Sequence, residues 1–499
     1  MKESRFQRFR PFILVALVTA ILFSLSFFDT SYKFGNIEFR NVSVISDITS
    51  AKSGSDSTNS FLKNFKPFVL LPDTGSLNAD SLRKVIDLDA RIIDYGADNQ
   101  GILLRFFTAL HSCEKDEKKA RIAYFGDSMI EGDLVTQTVR NYFQKKFGGR
   151  GVGFVPITSV VSYFRKSVVH KFSENWNTKS VLDYSSKTPY GLSGFVFYPQ
   201  VLSKSVIASE LNYKQASMVT YKAAQNSFAN VRDFSKVVIY YGKSDTSSYV
   251  VYEIGDSTRL HLNLSGRKAV NEIVINNPPS HYQAPLYFMV DTTTEVFGVS
   301  LESNTGVFLD NYSVRGTSGL PLSSISPQVI QGLNRSLEYN LIVLQFGLNV
   351  SGAETKDFAW YKAGMIRVVR HLQAYMPDAD ILLVGVCDRS YKKDMKYQTM
   401  PSIPLLVEAQ REVAKETGIA FWNLYAAMGG DSAMVRWANA KPALANKDYT
   451  HVNGKGADTL GLMLWNNLYN EYLLFKRRRE LAPPVSVSEP ELEIEEVIN

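Results

Sequence analysis

Six histidines occur in this 499-residue chain, and only His451 has a carboxylate three residues before it, Asp448 in "NKDYTHVNGKG". An imidazole oriented by an acid can take a proton from a hydroxyl. The hydroxyl best placed to give one is Ser128, in "RIAYFGDSMIEGD" (Arg121 to Asp133), where a run of β-formers hands over to helix-compatible residues. Two further segments offer hydrogen-bond donors for a developing negative oxygen. After "TGVFLD" comes "NYSVRGTSG", in which Gly316 presents an unencumbered backbone N–H, and after "NLIVLQF" comes Gly347-Leu348-Asn349, whose asparagine carries an amide. Together these residues could form an acyl-transfer site. Ser128 would be the nucleophile, His451 the base and Asp448 the acid that orients it, with the Ser128 N–H, Gly316 N–H and Asn349 amide as oxyanion donors.

Each residue also has a plainer reading. Ser128 could be a helix N-cap, Asp448 and His451 a loop ion pair, and Asn349 a turn residue. "FGGRGVGF", Phe147 to Phe154, lacks the Gly-Lys-Ser/Thr ending of a phosphate loop and follows a helix, so it reads as a flexible turn. No cluster of His, Cys and carboxylates has metal-ligand spacing, so neither a metal nor another cofactor is expected.

The elements that must position these groups are short apolar strands at Ile122 to Phe125, Val307 to Leu309, Leu341 to Gln345, Ile381 to Val386 and Ile419 to Trp422. Helical patterns lie at about Ala97 to Ala120, Phe358 to Tyr375, Ile403 to Glu416 and Gly456 to Phe475. Strand and helix in alternation imply a parallel sheet covered on both faces, with catalytic groups at its C-terminal edge. The alternation breaks from about Phe154 to Ser300, where "SKVVIYYGKS", "SYVVYEIGD", "TRLHLNLSG", "NEIVINN" and "APLYFMVD" read as strands of an inserted all-β, jelly-roll-like sandwich. Its Tyr240, Tyr241 and Tyr249 could stack on sugars, but core or ordinary surface is the better reading of each. The expected division is an α/β domain split into 97–153 and 301–478 around an insert at 154–300, after an irregular tether at 29–96 and before a disordered acidic tail at 480–499.

The net charge of +6 is modest, and the basic cluster Lys476 to Arg479 closes the last helix, where it complements the helix dipole. Nucleic acid is therefore not an expected partner. Lys2, Arg5, Arg8 and Arg10 precede the uncharged run "PFILVALVTAILFSLSFF", Pro11 to Phe28, long enough at about 1.5 Å per residue to cross most of a bilayer core. No small-x-small cleavage site follows it, so we expect an uncleaved transmembrane helix with residues 1–10 cytoplasmic, and hence a bacterial inner-membrane protein with a periplasmic catalytic part. Two cysteines, Cys113 and Cys387, are too few for a disulfide scaffold and read as buried thiols.

The chain resembles the SGNH (GDSL-type) hydrolases. Gly126-Asp127-Ser128-Met129 is similar to the family's first block, with methionine where leucine or isoleucine is usual. Asn311 to Gly316 resembles the second block, Gly347-Leu348-Asn349 the third, with Val350 where aspartate usually follows, and Asp448 and His451 the last. The resemblance covers about Arg121 to Gly153 and Gly306 to Phe475. It implies an α/β/α sandwich and serine esterase chemistry. A β-sandwich between the first and second blocks of an extracytoplasmic chain resembles, within that superfamily, the peptidoglycan O-acetylesterases, whose insert is similar to a carbohydrate-binding module. That layout implies an O-acetylated polysaccharide as partner and substrate. The rival readings are a polysaccharide O-acetyltransferase using the same triad and a non-catalytic glycan-binding protein of the envelope.

Overall fold

The computed structural model describes residues 32–34, 37–39, 90–97, 101–183, 185, 187–200, 216–254, 258–290 and 292–481. The chain divides into two compact units, Met1–Gly75 and Ser76–Asn499. In the first, Tyr32–Phe34 and Ile37–Phe39 pair as an antiparallel hairpin. The expected transmembrane run at 11–28, most of the tether and the tail from 482 lie outside the described residues. Among the described residues no helix is long and apolar enough to cross a membrane.

The second unit holds an α/β fold. Five strands run parallel in the order Gly306–Ser313, Lys119–Gly126, Leu341–Gln345, Asp380–Val384, Ala420–Trp422, and Ile92–Asp94 adds an antiparallel edge. The second of these is buried from Ala120 to Gly126, as a strand covered on both faces must be, which explains its unbroken apolar pattern. Registers put the strand ends level: Gly126 lies opposite both Ser313 and Gln345, Gln345 opposite Val384, and Val384 opposite Trp422. Whatever follows these residues therefore emerges along one edge. The chain order reverses between Lys119–Gly126 and Leu341–Gln345, the switch point at which open α/β sheets gather their ligands.

Crossovers leave the first strand in opposite directions, so their right-handedness sends successive helices to opposite faces. On one face Leu104–Asp116, Thr136–Phe147 and Gly454–Leu481 pack through Phe107, Phe143, Phe147, Trp465 and Tyr472. On the other, Ala359–Tyr375 lies against both Pro327–Leu337 and Ser402–Thr417. The helix expected over Ala97 to Ala120 is shorter, because Leu103 and Glu117 adopt left-handed backbone at its two ends and Lys119 already belongs to the strand. The helix Pro327–Leu337 was missed, although Ser326 caps Val329 and Pro327 opens the first turn, a pair of start signals legible in "SISPQV".

Between the first two parallel strands the chain builds two antiparallel sheets. One has the order Asn271–Asn276, Lys236–Tyr241, Val296–Glu302, Phe195–Pro199, Trp176–Ser180, with Gly153–Val155 also on Val296–Glu302. The other has the order Thr258–Asn263, Tyr249–Ile254, Gln283–Met289, Ser217–Ala223, Val168–Phe172. Val219, Tyr221, Val250, Leu286 and Phe288 of one share a core with Phe197, Val237, Ile239, Val296 and Val299 of the other, so the sheets pack face to face. Tyr240 and Tyr241 are buried, and Tyr249 is half-buried against the His261 ring.

The sandwich is tied to the parallel sheet by a buried ionic cluster. Arg121 of the central strand donates to Asp310 of the neighbouring parallel strand at 2.7 and 3.0 Å, and to Glu302 and Ser300 of the sandwich at 2.6 and 2.9 Å. Burial pushes the Glu302 carboxyl upward, but Arg121 and Lys119 outweigh this and hold it well below the ordinary value. Cys113 and Cys387 are free and buried, and burial raises the Cys113 thiol to about 12.

Candidate active site

Ser128 stands two residues beyond the end of its strand, as the first residue of a short 3-10 helix, Ser128–Asp133. It is not the cap: Asp127 is, its Oδ1 accepting from Met129 N at 3.0 Å. This leaves the serine hydroxyl free for another partner. Ser128 Oγ lies 3.1 Å from His451 Nε2, and His451 Nδ1 lies 2.8 Å from Asp448 Oδ2. The other carboxylate oxygen, Asp448 Oδ1, accepts from the backbone N–H of Thr450 at 2.9 Å and of His451 at 3.0 Å. Burial acts upward on this carboxyl, and those N–H groups with the His451 ring prevail, holding it below its ordinary value. A hydrogen bond from Nδ1–H to an ionised Asp448 leaves Nε2 as the acceptor facing Ser128, the tautomer a general base requires.

The loop carrying the pair is fixed from several sides. Asn446 N bonds His451 O at 2.9 Å, Ser390 N bonds Tyr449 O at 2.9 Å, and the Tyr397 ring stacks on Tyr449 with centroids 3.9 Å apart. Tyr449 itself has φ 54, a conformation a bulky residue holds only when its surroundings impose it.

The two expected oxyanion donors arrive from neighbouring strand ends. Gly316 has φ 79, its N–H makes no hydrogen bond among the described residues, and no atom lies within 4 Å of where a Cβ would stand. Asn349 is more constrained than its sequence suggested. Its Nδ2 donates to Thr317 O at 3.0 Å and to Asp127 Oδ2 at 3.2 Å, so both amide hydrogens already have acceptors. Asp127, the residue before the nucleophile, has a role that its motif alone does not reveal. It is 1% exposed, and burial raises its carboxyl to about 6 against the pull of the Met129 N–H and His451.

Beside these groups runs a groove of about 220 Å³ between the two halves of the unit, bounded by Glu131 and Gly132 after the nucleophile, by Arg315 next to Gly316, and by Arg165, Thr178 and Ser193 from the sandwich side. Arg315 holds Glu131 through Nε at 2.9 Å and Nη2 at 2.5 Å. Gly132, at φ 66, lets Phe164 approach to where a Cβ would be only 2.3 Å away. That segment 156–167 closes over the nucleophile's loop is not legible in sequence, since the contact joins elements with no shared pattern. Among the described residues no group of His, Cys, Asp and Glu could hold a metal ion.

Residues 289–458 match the family described as GDSL-like lipase/acylhydrolase. That span includes Gly316, Asn349, Asp448 and His451 and stops short of Ser128, which lies on the far side of the sandwich in the chain. A solved structure described as a peptidoglycan O-acetylesterase in action is 19% identical, with a TM-score of 0.61 over 77% of this chain and 99% of its own. A family two carbohydrate esterase from Cellvibrio japonicus is 9% identical, with a TM-score of 0.23 over 61% and 98%. An acetyl xylan esterase is 16% identical, with a TM-score of 0.25 over 32% and 80%. Only the first of the three bears on the fold. A search of curated proteins finds no match. Residues 289–458 are thus similar to the GDSL-like lipases and acylhydrolases, and the chain shares the fold of the first of these structures.

Proposed function

We propose that the protein is a serine esterase that removes O-acetyl groups from a cell-envelope polysaccharide, with peptidoglycan as the substrate, working in the periplasm from an N-terminal membrane anchor. The observation that carries the chemistry is the unbroken chain Ser128 Oγ, His451, Asp448, at 3.1 and 2.8 Å on the sheet's C-terminal edge. Ser128 Oγ attacks the acetyl carbonyl as its proton passes to His451 Nε2, and Asp448 stabilises the imidazolium. The tetrahedral oxyanion is met by the N–H groups of Ser128 and Gly316 and by the Asn349 amide, each donor contributing about 3 kcal/mol in sites of this kind. For Asn349 this means turning a hydrogen from Asp127 or Thr317, or sharing it, as the oxyanion forms. His451 then returns its proton to the sugar oxygen, the C–O bond breaks, and an acetyl-Ser128 ester remains. Water, deprotonated by His451, attacks that ester, and acetate leaves as Ser128 regains its proton.

The polysaccharide reading is supported by the fold likeness to the peptidoglycan O-acetylesterase structure and by the sandwich, whose segment 156–167 contributes to the groove beside Ser128. The test offers 4-nitrophenyl acetate to the protein with and without a sugar acceptor and quantifies free acetate and acetylated sugar. Acetate as the main product in both cases supports the esterase, whereas acetyl sugar as the main product makes the protein a transferase.

A further inference from the structure

The groove beside Ser128 is lined by a buried guanidinium that has only a long ion pair, shared with a second arginine. The Arg165 side chain is only 6% exposed and lines the groove. Its Nε donates to Ser167 Oγ at 3.1 Å, but its Nη2 has no hydrogen-bond partner and stands 3.7 Å from the nearest carboxylate oxygen, Asp133 Oδ2. Asp133 is already committed. Arg140 grips both of its oxygens, at 2.7 and 3.0 Å, and Thr136 donates to it as well. Asp310, the other acid that acts on Arg165, is held by Arg121, Tyr339 and the Phe154 N–H. Glu131 and Arg315 neutralise each other across the groove. One carboxylate thus faces two buried guanidinium groups, and burial lowers the Arg165 pKa against the upward pull of Asp133.

A second polar group in the same groove is also unmatched. Ser193, 4% exposed, has an Oγ with no partner. Buried donors left unpaired are costly, and a guanidinium fork is shaped to receive a carboxylate. We infer that this groove is a subsite for a carboxylate-bearing sugar of the acetylated polymer, with Arg165 taking the carboxylate and Ser193 a ring hydroxyl. The inference rests on the polysaccharide reading above and narrows it to acidic polymers. The groove is bounded by Glu131, three residues after Ser128, and by Arg315, one before Gly316, so a ring held in it lies close along the polymer to the acetyl group under attack. Two kinds of acid have the required chemistry, a lactyl ether on an amino sugar and a ring carboxyl of a uronic acid.

Direct binding to the full chain, followed by calorimetry, separates this inference from the esterase reading because no turnover is involved. The probes are N-acetylmuramic acid, its methyl ester, glucuronic acid and N-acetylglucosamine. At least one free acid should bind five-fold or more tightly than the two neutral sugars, and the tighter acid identifies the source of the carboxylate. Arg165→Gln should erase that preference. So should Thr178→Glu, which places a competing carboxylate at the exposed rim and keeps the test decisive if loss of Arg165 prevents folding. Equal binding of acids and neutral sugars by the unaltered protein, or a preference that survives in the folded variants, would overturn the inference. Failure of the esterase reading shows elsewhere, as undiminished ester hydrolysis by Ser128→Ala.

Discussion

Asp127 Oδ2 accepts a hydrogen bond from Asn349 Nδ2 at 3.2 Å, so the residue before the nucleophile holds the side chain expected to stabilise the oxyanion. A single buried carboxylate caps the helix that begins at Ser128, through Met129 N, and orients a donor delivered by a different strand. The site is assembled across the switch point by this contact as much as by the sheet.

That arrangement sets stability against activity. Asp127 titrates at about 6 in the folded chain and near 3.9 when unfolded. Both states are protonated below about pH 4. Between about pH 4 and 6 the unfolded state ionises first, so the folded state loses stability as pH rises, and the loss levels off above about 6 at roughly 3 kcal/mol. Asp127→Asn should therefore raise the unfolding free energy at pH 8 by on the order of 2 kcal/mol, with little gain at pH 4, as measured by urea denaturation. Its amide cannot both cap Met129 and accept from Asn349, so kcat for a soluble acetyl ester should fall about ten-fold or more.

Ser128→Ala should lower hydrolysis of 4-nitrophenyl acetate by several orders of magnitude and leave the melting temperature nearly unchanged, since Asp127 rather than Ser128 caps the helix. His451→Ala should have a comparable effect, and combining the two should add little, because the residues act as one unit.

Arg121→Met should destabilise the protein by about 3–5 kcal/mol, because it strands Asp310 and Glu302 as buried, unpaired carboxylates. Glu302 belongs to the sandwich and Asp310 to the parallel sheet, so this loss should also loosen the junction. Limited proteolysis near residues 303–306 should accelerate in the variant and not in the parent chain.

Much of the site was legible because its chemistry is local to strand ends. Ser128, Gly316 and Asn349 each follow an apolar strand by two to four residues, and the Asp448–His451 offset is visible in one line of sequence. What escaped notice depends on contacts between distant segments. The Asp127–Asn349 bond and the unmatched Arg165 exist only once the strands are ordered and segment 156–167 folds over Gly132. In the sandwich, Trp176–Ser180 exposes three of its five residues, and Val168–Phe172 alternates but carries a histidine and a lysine, so neither shows the apolar run that marks Lys236–Tyr241. The edge strand Ile92–Asp94 spans only three residues, too few to carry any pattern.

Acid should weaken the fold through Asp133. Arg140 and Arg165 overcome the upward push of burial and hold its carboxyl at about 2, below its unfolded value near 3.9. A depressed folded pKa gives stability that is present above the unfolded pKa and is lost as pH falls through the folded one. Between about pH 4 and 2 the protein should lose about 2–3 kcal/mol from this group alone. Arg140→Met should remove that increment, and its denaturation midpoint should change less over the same pH interval.

The central claim, a Ser128-dependent esterase acting on an acetylated wall polymer, is met most directly by quantifying acetate released from O-acetylated peptidoglycan, with O-acetylated xylan alongside. Acetate should appear from peptidoglycan with the unaltered protein, at a rate well above that from xylan, and Ser128→Ala should release none above background. Equal release by Ser128→Ala would contradict the catalytic assignment, and release from xylan alone would contradict the substrate.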